Sequence, residues 1–142
     1  MADDHRDRGS ALMLVPAGIL VLVVLAGIAF DFSHLYLGQR ELADVAESVA
    51  NDAATYAIDQ GVLRSQGRIV FDQGRADAIG ALAVANPPSD VRITSLVVAI
   101  DPDTGQVTVT ASALVDPVFL RAVPGEAVPR EVRARARAAP AA

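Results

Sequence analysis

Cysteine is absent from this 142-residue chain, which excludes disulfides, thiolate metal sites and cysteine nucleophiles. Tryptophan and lysine are absent as well, and all 12 basic residues are arginine. Histidine occurs only as His5 and His34, on opposite sides of a long apolar run. That is too sparse for a catalytic triad or an HExxH metal site, and no glycine-rich phosphate loop is found. The sequence therefore predicts no enzyme, no bound metal and no cofactor. Aromatics make up 4% of a chain that is 52% hydrophobic, so its apolar bulk is Ala, Val and Leu. A core of small side chains buries less area per residue and contributes less stability, which suits a subunit supported by its neighbours. The net charge of −5 argues against non-specific binding to nucleic acid.

What the chain does have is one uncharged apolar run, Ala11 to Phe30. At 1.5 Å per residue such a run spans about 30 Å, the thickness of a bilayer's hydrocarbon core, and predicts a transmembrane helix over 11–30. Residues 1–10 are polar and leader-like. Arg6 and Arg8 precede the run, whereas the first arginine beyond it is Arg40. The positive-inside rule places the N-terminus in the cytoplasm and the bulk of the chain outside the membrane. Gly27-Ile28-Ala29 offers a small-residue cleavage site, but the run exceeds the apolar core of an ordinary signal peptide, and helical patterning continues straight through it. Pro16 removes a backbone hydrogen bond inside the run and predicts a kink there.

The helix is expected to leave the membrane and turn amphipathic over 31–60. Leu35, Leu42, Val49 and Tyr56 recur every seven residues, with Val45 and several alanines filling the same face. Two uses compete for this stripe: packing on the chain's own domain, and packing on neighbouring subunits, which alanines favour by letting helices approach closely. Gly61 is the expected stop signal.

Residues 61–142 read as a small extracytoplasmic domain. A short strand is expected over Arg68–Phe71, a helix over Arg75–Asn86 ended by Pro87-Pro88, and strands over Val91–Ile100, Gln106–Val115 and Glu131–Ala139. Turns are expected at Val118–Val123 and Pro124-Gly125. The last strand alternates alanine with Arg133, Arg135 and Arg137, giving it one solvated face. Asp101, Asp103 and Gly105 resemble the start of a calcium loop but lack its later ligands, and a Pro/Gly hairpin turn explains them. The expected class is thus α+β and pilin-like: a long N-terminal helix packed on an antiparallel sheet of about three to four strands. Asp31, directly after the run, marks the membrane edge, with a partner arginine on a neighbouring chain as the sharper alternative.

Arg8-Gly9-Ser10 before the run, then Asp31, Tyr36, Gln39-Arg40-Glu41-Leu42 and an alanine-rich stretch with Glu47, resembles the TadE/TadG-like proteins of the tight-adherence (Flp) type IV pilus systems. The resemblance covers about residues 6–57, and the short chain favours the TadE-like minor pseudopilins. It implies a bacterial single-pass membrane protein that assists filament assembly. Its implied partners are other pilin or pseudopilin subunits and platform proteins, together with a prepilin peptidase cutting between Gly9 and Ser10. Independently of the resemblance, the stripe makes Leu35, Leu42, Val45, Val49 and Tyr56 the candidate helix-packing and assembly residues. One departure stands out: Leu14 occupies the fifth position after Gly9, where type IV prepilins usually carry glutamate. The charge pair that this glutamate makes with a neighbour's N-terminus is thereby lost. Processing and filament entry on one hand, and an uncleaved membrane-resident factor on the other, both stay open. The other class of function compatible with the sequence is a single-pass anchored ligand-binding or sensor module.

Overall fold

A computed structural model describes residues 6–87, 91–122 and 128–140. A single helix, α1 (Arg6–Tyr56), contains the whole apolar run and the amphipathic stretch after it. Pro16 lies inside α1 without ending it. Two shorter helices follow, α2 (Gln60–Gln66) and α3 (Gln73–Ala85), and then three strands, β1 (Arg92–Ile100), β2 (Val107–Val115) and β3 (Arg130–Ala138). The strands form an antiparallel meander in the order β1-β2-β3. The architecture is the expected α+β arrangement, a long N-terminal helix packed on a three-stranded sheet.

Period-2 alternation sets which face of the sheet is covered. Val107, Val109, Ala111, Ala113 and Val115 of β2 point inward and are almost fully buried, joined by Val98 of β1 and Val132 of β3. Their partners across the layer are Leu42, Ala46, Val49, Ala50 and Ala53 of α1, Ala57 just past its end, and Ala76 of α3. Helix α1 crosses β2 and β3, while α3 covers β1. On the opposite face Thr108, Thr110 and Ser112 pair in register with Arg137, Arg135 and Arg133, so β3 carries the solvated arginine row that its alternation predicts.

Two local expectations differ from the structure. Helix α1 ends at Tyr56 rather than near Gly61. Asp59 is an N-cap: its Oδ1 accepts from the Gly61 and Val62 amides at 2.8 and 3.1 Å and opens α2. An aspartate that satisfies orphan amides this way competes with the continuing helix, so Gly61 sits in a first turn instead of after a last one. Arg68–Phe71 is not a strand. Gly67 closes α2 with a φ of 64°, and Asp72 caps α3. The segment facing 68–71, residues 57–59 between α1 and α2, is only long enough for one bridge, Ile58 to Phe71. The expected turn at Asp101–Gly105 is present. Asp101 accepts from the Thr104 hydroxyl at 2.7 Å and the Asp103 amide at 2.9 Å, and Gly105 supplies the positive φ of 68°. Those bonds hold the Asp101 carboxyl below its usual range despite partial desolvation. The expected turn at Pro124-Gly125 lies outside the described residues, as do His5 and residues 1–4 of the leader-like segment.

Candidate functional site

The two halves of α1 meet different surroundings. From Leu14 to Phe30 the apolar side chains are exposed on all sides: Leu14, Leu20 and Leu22 each exceed 60% exposure. A helix that is apolar all round requires an apolar medium. The run is long and apolar enough to cross a bilayer and fits a single-pass membrane anchor.

One stripe of α1 is buried against the rest of the chain. It begins inside the apolar run, at Gly27, and continues through Asp31, Leu35, Gly38, Leu42, Val45, Ala46, Val49 and Ala53 to Ala57, the first residue past the helix. Steps of three and four residues keep these positions on one face. Leu42 and Val49 are buried, and Leu35 and Val45 are half-buried. Tyr56 is 69% exposed. The reason is geometric: a straight helix drifts about 20° per heptad from a strict seven-residue repeat, so by the third repeat the seam has passed to Ala57. Gly9 and Ser10 are helical, in the first turns of α1.

Two glycines let the seam close tightly. A Cβ at Gly38 would stand 2.7 Å from Val115 Cγ2, and one at Gly27 would stand 2.8 Å from Phe119 Cδ1. Between them lies Asp31, the buried charged residue of the core, only 8% exposed. Its Oδ1 accepts from the amides of Val118 and Phe119 at 2.8 and 2.9 Å, and its Oδ2 from that of Leu120 at 2.8 Å. Asp31 thus satisfies the amides that open the 3-10 turn Leu120–Ala122, as an N-cap does, but from 87 to 89 residues away in sequence. Desolvation pushes its carboxyl up. The amides of Phe119, Leu120 and Val118, aided by nearby His34, outweigh that and hold it below its usual range. These three donors all belong to the chain itself.

Around this knot Phe30 meets Phe119 edge-to-face, with ring centroids 5.7 Å apart. A hollow of about 110 Å³ beside it is lined by Ile28, Asp31, Leu35, Leu120 and Arg130 among others. On its rim Asp116 pairs with Arg92 at 3.2 Å and with Arg121 at 3.7 Å. These pairs are exposed and contribute little to stability. Among the described residues no group of three or more His, Asp or Glu side chains is placed to hold a metal. Glu41, in the resemblance motif, has a buried Oε2 with no hydrogen-bond partner among the described residues.

The sequence marks Asp31 but not what it holds, and Gly27, Gly38 and the 118–120 amides escape sequence reasoning. The available signal was the placement of Gly27, Asp31 and Gly38 on the same helical face as Leu42. Neither a curated protein nor a solved structure matches the chain. Residues 9–57 match the Tad family, described as "Putative Flp pilus-assembly TadE/G-like". That stretch covers nearly all of α1, both the apolar run and the seam, so it is the helix, about a third of the chain, that is similar to this family.

Proposed function

We propose that the protein is a membrane-anchored, minor-pilin-like component of a tight-adherence pilus or a related secretion machine, acting by assembly and not by catalysis. The observation that carries this reading is the two-part helix: an apolar half exposed all round, continuous with a half that supports a small sheet, within a TadE/G-like match. In this reading residues 11–30 hold the chain in the cell membrane, Arg6 and Arg8 keep its N-terminus cytoplasmic, and residues 31–142 stand outside. The faces of α1 not used by the sheet, with Tyr36, Leu37 and Tyr56 exposed, are left for pilin or platform partners. A prepilin peptidase acts between Gly9 and Ser10.

Two measurements test the reading. Deleting the gene removes or thins the filaments, and the full chain restores them; unchanged piliation overturns the assembly role. Intact mass of the membrane-extracted protein, with and without the cognate peptidase, tests processing. Loss of Met1 to Gly9 is expected, and a full-length chain beside an active peptidase removes the cleavage claim while leaving the anchor intact.

A further inference from the structure

We propose that the segment Pro117–Leu120 is a second membrane contact: a short wedge that dips into the lipid beside the anchor helix and fixes how the sheet domain sits on the bilayer. The inference rests on reading residues 11–30 as a membrane anchor.

Depth is the first argument. Phe119 packs on Gly27 and meets Phe30 edge-to-face. Both partners belong to the apolar run. Gly27 lies one turn before Asp31, about 6 Å further along the helix toward the bilayer centre. A side chain seated on Gly27 therefore lies at the level of the outer hydrocarbon, not above it.

Chemistry is the second. Val118 and Phe119 are each about half exposed, at 49% and 48%, beside Phe30 and Phe32 at 52% and 68%. Three of the chain's four phenylalanines thus lie at one level along α1, Phe30 and Phe32 on the helix and Phe119 packed on it. Exposed apolar side chains gathered at one level are unfavourable in water and favourable in lipid. Tyr36 stands just over one turn beyond Asp31, exposed, where the polar tip of an interfacial tyrosine reaches the headgroups.

The backbone is the third argument and the most specific. Non-helical backbone entering an apolar medium must leave no amide unpaired, since each unsatisfied group costs several kcal/mol there. Pro117 has no N–H to satisfy. The amides of Val118, Phe119 and Leu120 all donate to Asp31. Four consecutive residues therefore carry no free donor into the lipid. Asp31 is the group that lets the wedge enter, and its position one residue past the run keeps the charge at the edge of the hydrocarbon.

The absence of tryptophan provides the test. Full-length Phe119→Trp, Leu20→Trp and Tyr56→Trp variants are each reconstituted in phosphatidylcholine vesicles containing brominated acyl chains. Leu20 is mid-run and reports the anchor; Tyr56 is at the far end of α1 and reports water. We expect Phe119→Trp emission to be blue-shifted and quenched by bromines near the headgroups more than by bromines at the chain ends. Leu20→Trp should be quenched best by the deepest bromines, and Tyr56→Trp by none. Val118→Trp, at a half-exposed site, repeats the measurement should the larger ring fail to seat beside Gly27. If Leu20→Trp is quenched while Phe119→Trp and Val118→Trp are not, the wedge is refuted and the anchor stands. A blue shift at those sites without quenching assigns the surface to a protein neighbour and also overturns the proposal. Unquenched Leu20→Trp removes the anchor itself, and the wedge with it.

Discussion

Replacing Gly38 with alanine adds one methyl group at the tightest point of the seam between α1 and β2. Two effects oppose each other. Alanine in a helix interior is favoured over glycine by about 0.5–1 kcal/mol. The added Cβ, however, would stand 2.7 Å from Val115 Cγ2, inside any real carbon–carbon contact. Val115 is 2% exposed and β-branched, so it has little freedom to turn away. Overpacking of this kind costs about 1–3 kcal/mol, which leaves Gly38→Ala destabilising by about 1 kcal/mol. Val115→Ala alone removes two methyl groups, worth about 1.6 kcal/mol at 0.8 per carbon before any cavity term. It also removes the obstacle. In the Val115→Ala background the Gly38→Ala change is therefore expected to become stabilising by its propensity gain. The assay is hydrogen exchange of the β2 amides in the full chain in detergent micelles, read for all four members of the cycle. A reversal of sign between the two backgrounds is the expected result. Stabilisation by Gly38→Ala in both backgrounds would refute the reasoning, since it would mean that helix and sheet separate freely at this point.

Asp31→Ala should expose the 118–120 amides to exchange while leaving the β2 core protected; unchanged protection at Leu120 would show that the carboxylate is not what holds the turn. The pH response follows from the lowered Asp31 carboxyl. The native state favours the ionised form, so the hold on the loop is complete above the ordinary aspartate value of 3.8 and is lost as pH falls through the lower native value. The Leu120 amide shift is expected to titrate with a midpoint below 3.8 and to lose that transition in Asp31→Asn. In the anchor, the dozen Leu, Ile, Val and Phe residues of Ala11–Phe30 favour insertion by roughly 5 kcal/mol in sum. Leu20→Arg together with Val24→Arg costs about 5–7 kcal/mol, and the double variant is expected in the soluble fraction after carbonate extraction.

Elements whose cause is local were legible in the sequence. The long apolar helix follows from an uncharged run, β1 to β3 from alternation, and the β1–β2 turn from Asp101 and Gly105; the three strands stand within a residue of their expected bounds. The errors lie where one side chain decides between two local structures. Asp59 caps a new helix instead of closing the old one, and the short stretch 57–59 that this leaves allows 68–71 only one bridge. Of the heptad residues, Tyr56 leaves the face packed on the sheet because a straight helix does not keep a strict seven-residue count. The knot was illegible for another reason. Its donors are main-chain amides, 87 to 89 residues away, on Val118, Phe119 and Leu120. Nothing in those side chains announces a carboxylate partner, and a loop reading of Val118–Val123 is satisfied by many placements of the loop.

The seam also bears on how such a subunit enters an assembly. A domain joined to its anchor only by a continuing helix would keep rotational freedom wherever that helix bends. Here the grip starts at Gly27, inside the apolar run, and is renewed at Asp31, Gly38 and Leu42 before the main core begins. Bending α1 at its exit from the apolar run would break the Asp31 bonds and lift Phe119 off Gly27, so the anchor and sheet resist moving separately. On the proposed reading of residues 11–30 as an anchor, any tilt of α1 carries the sheet with it, and any lift of the chain out of a bilayer exposes Val118, Phe119 and the apolar run together. An assembly partner in that reading needs a surface of its own. The faces that remain available for it are those of α1 turned away from the sheet, where Leu37 and Tyr36 are exposed; substitutions on those faces should weaken assembly without loosening the fold, whereas substitutions along Gly27, Asp31 and Gly38 should do the reverse.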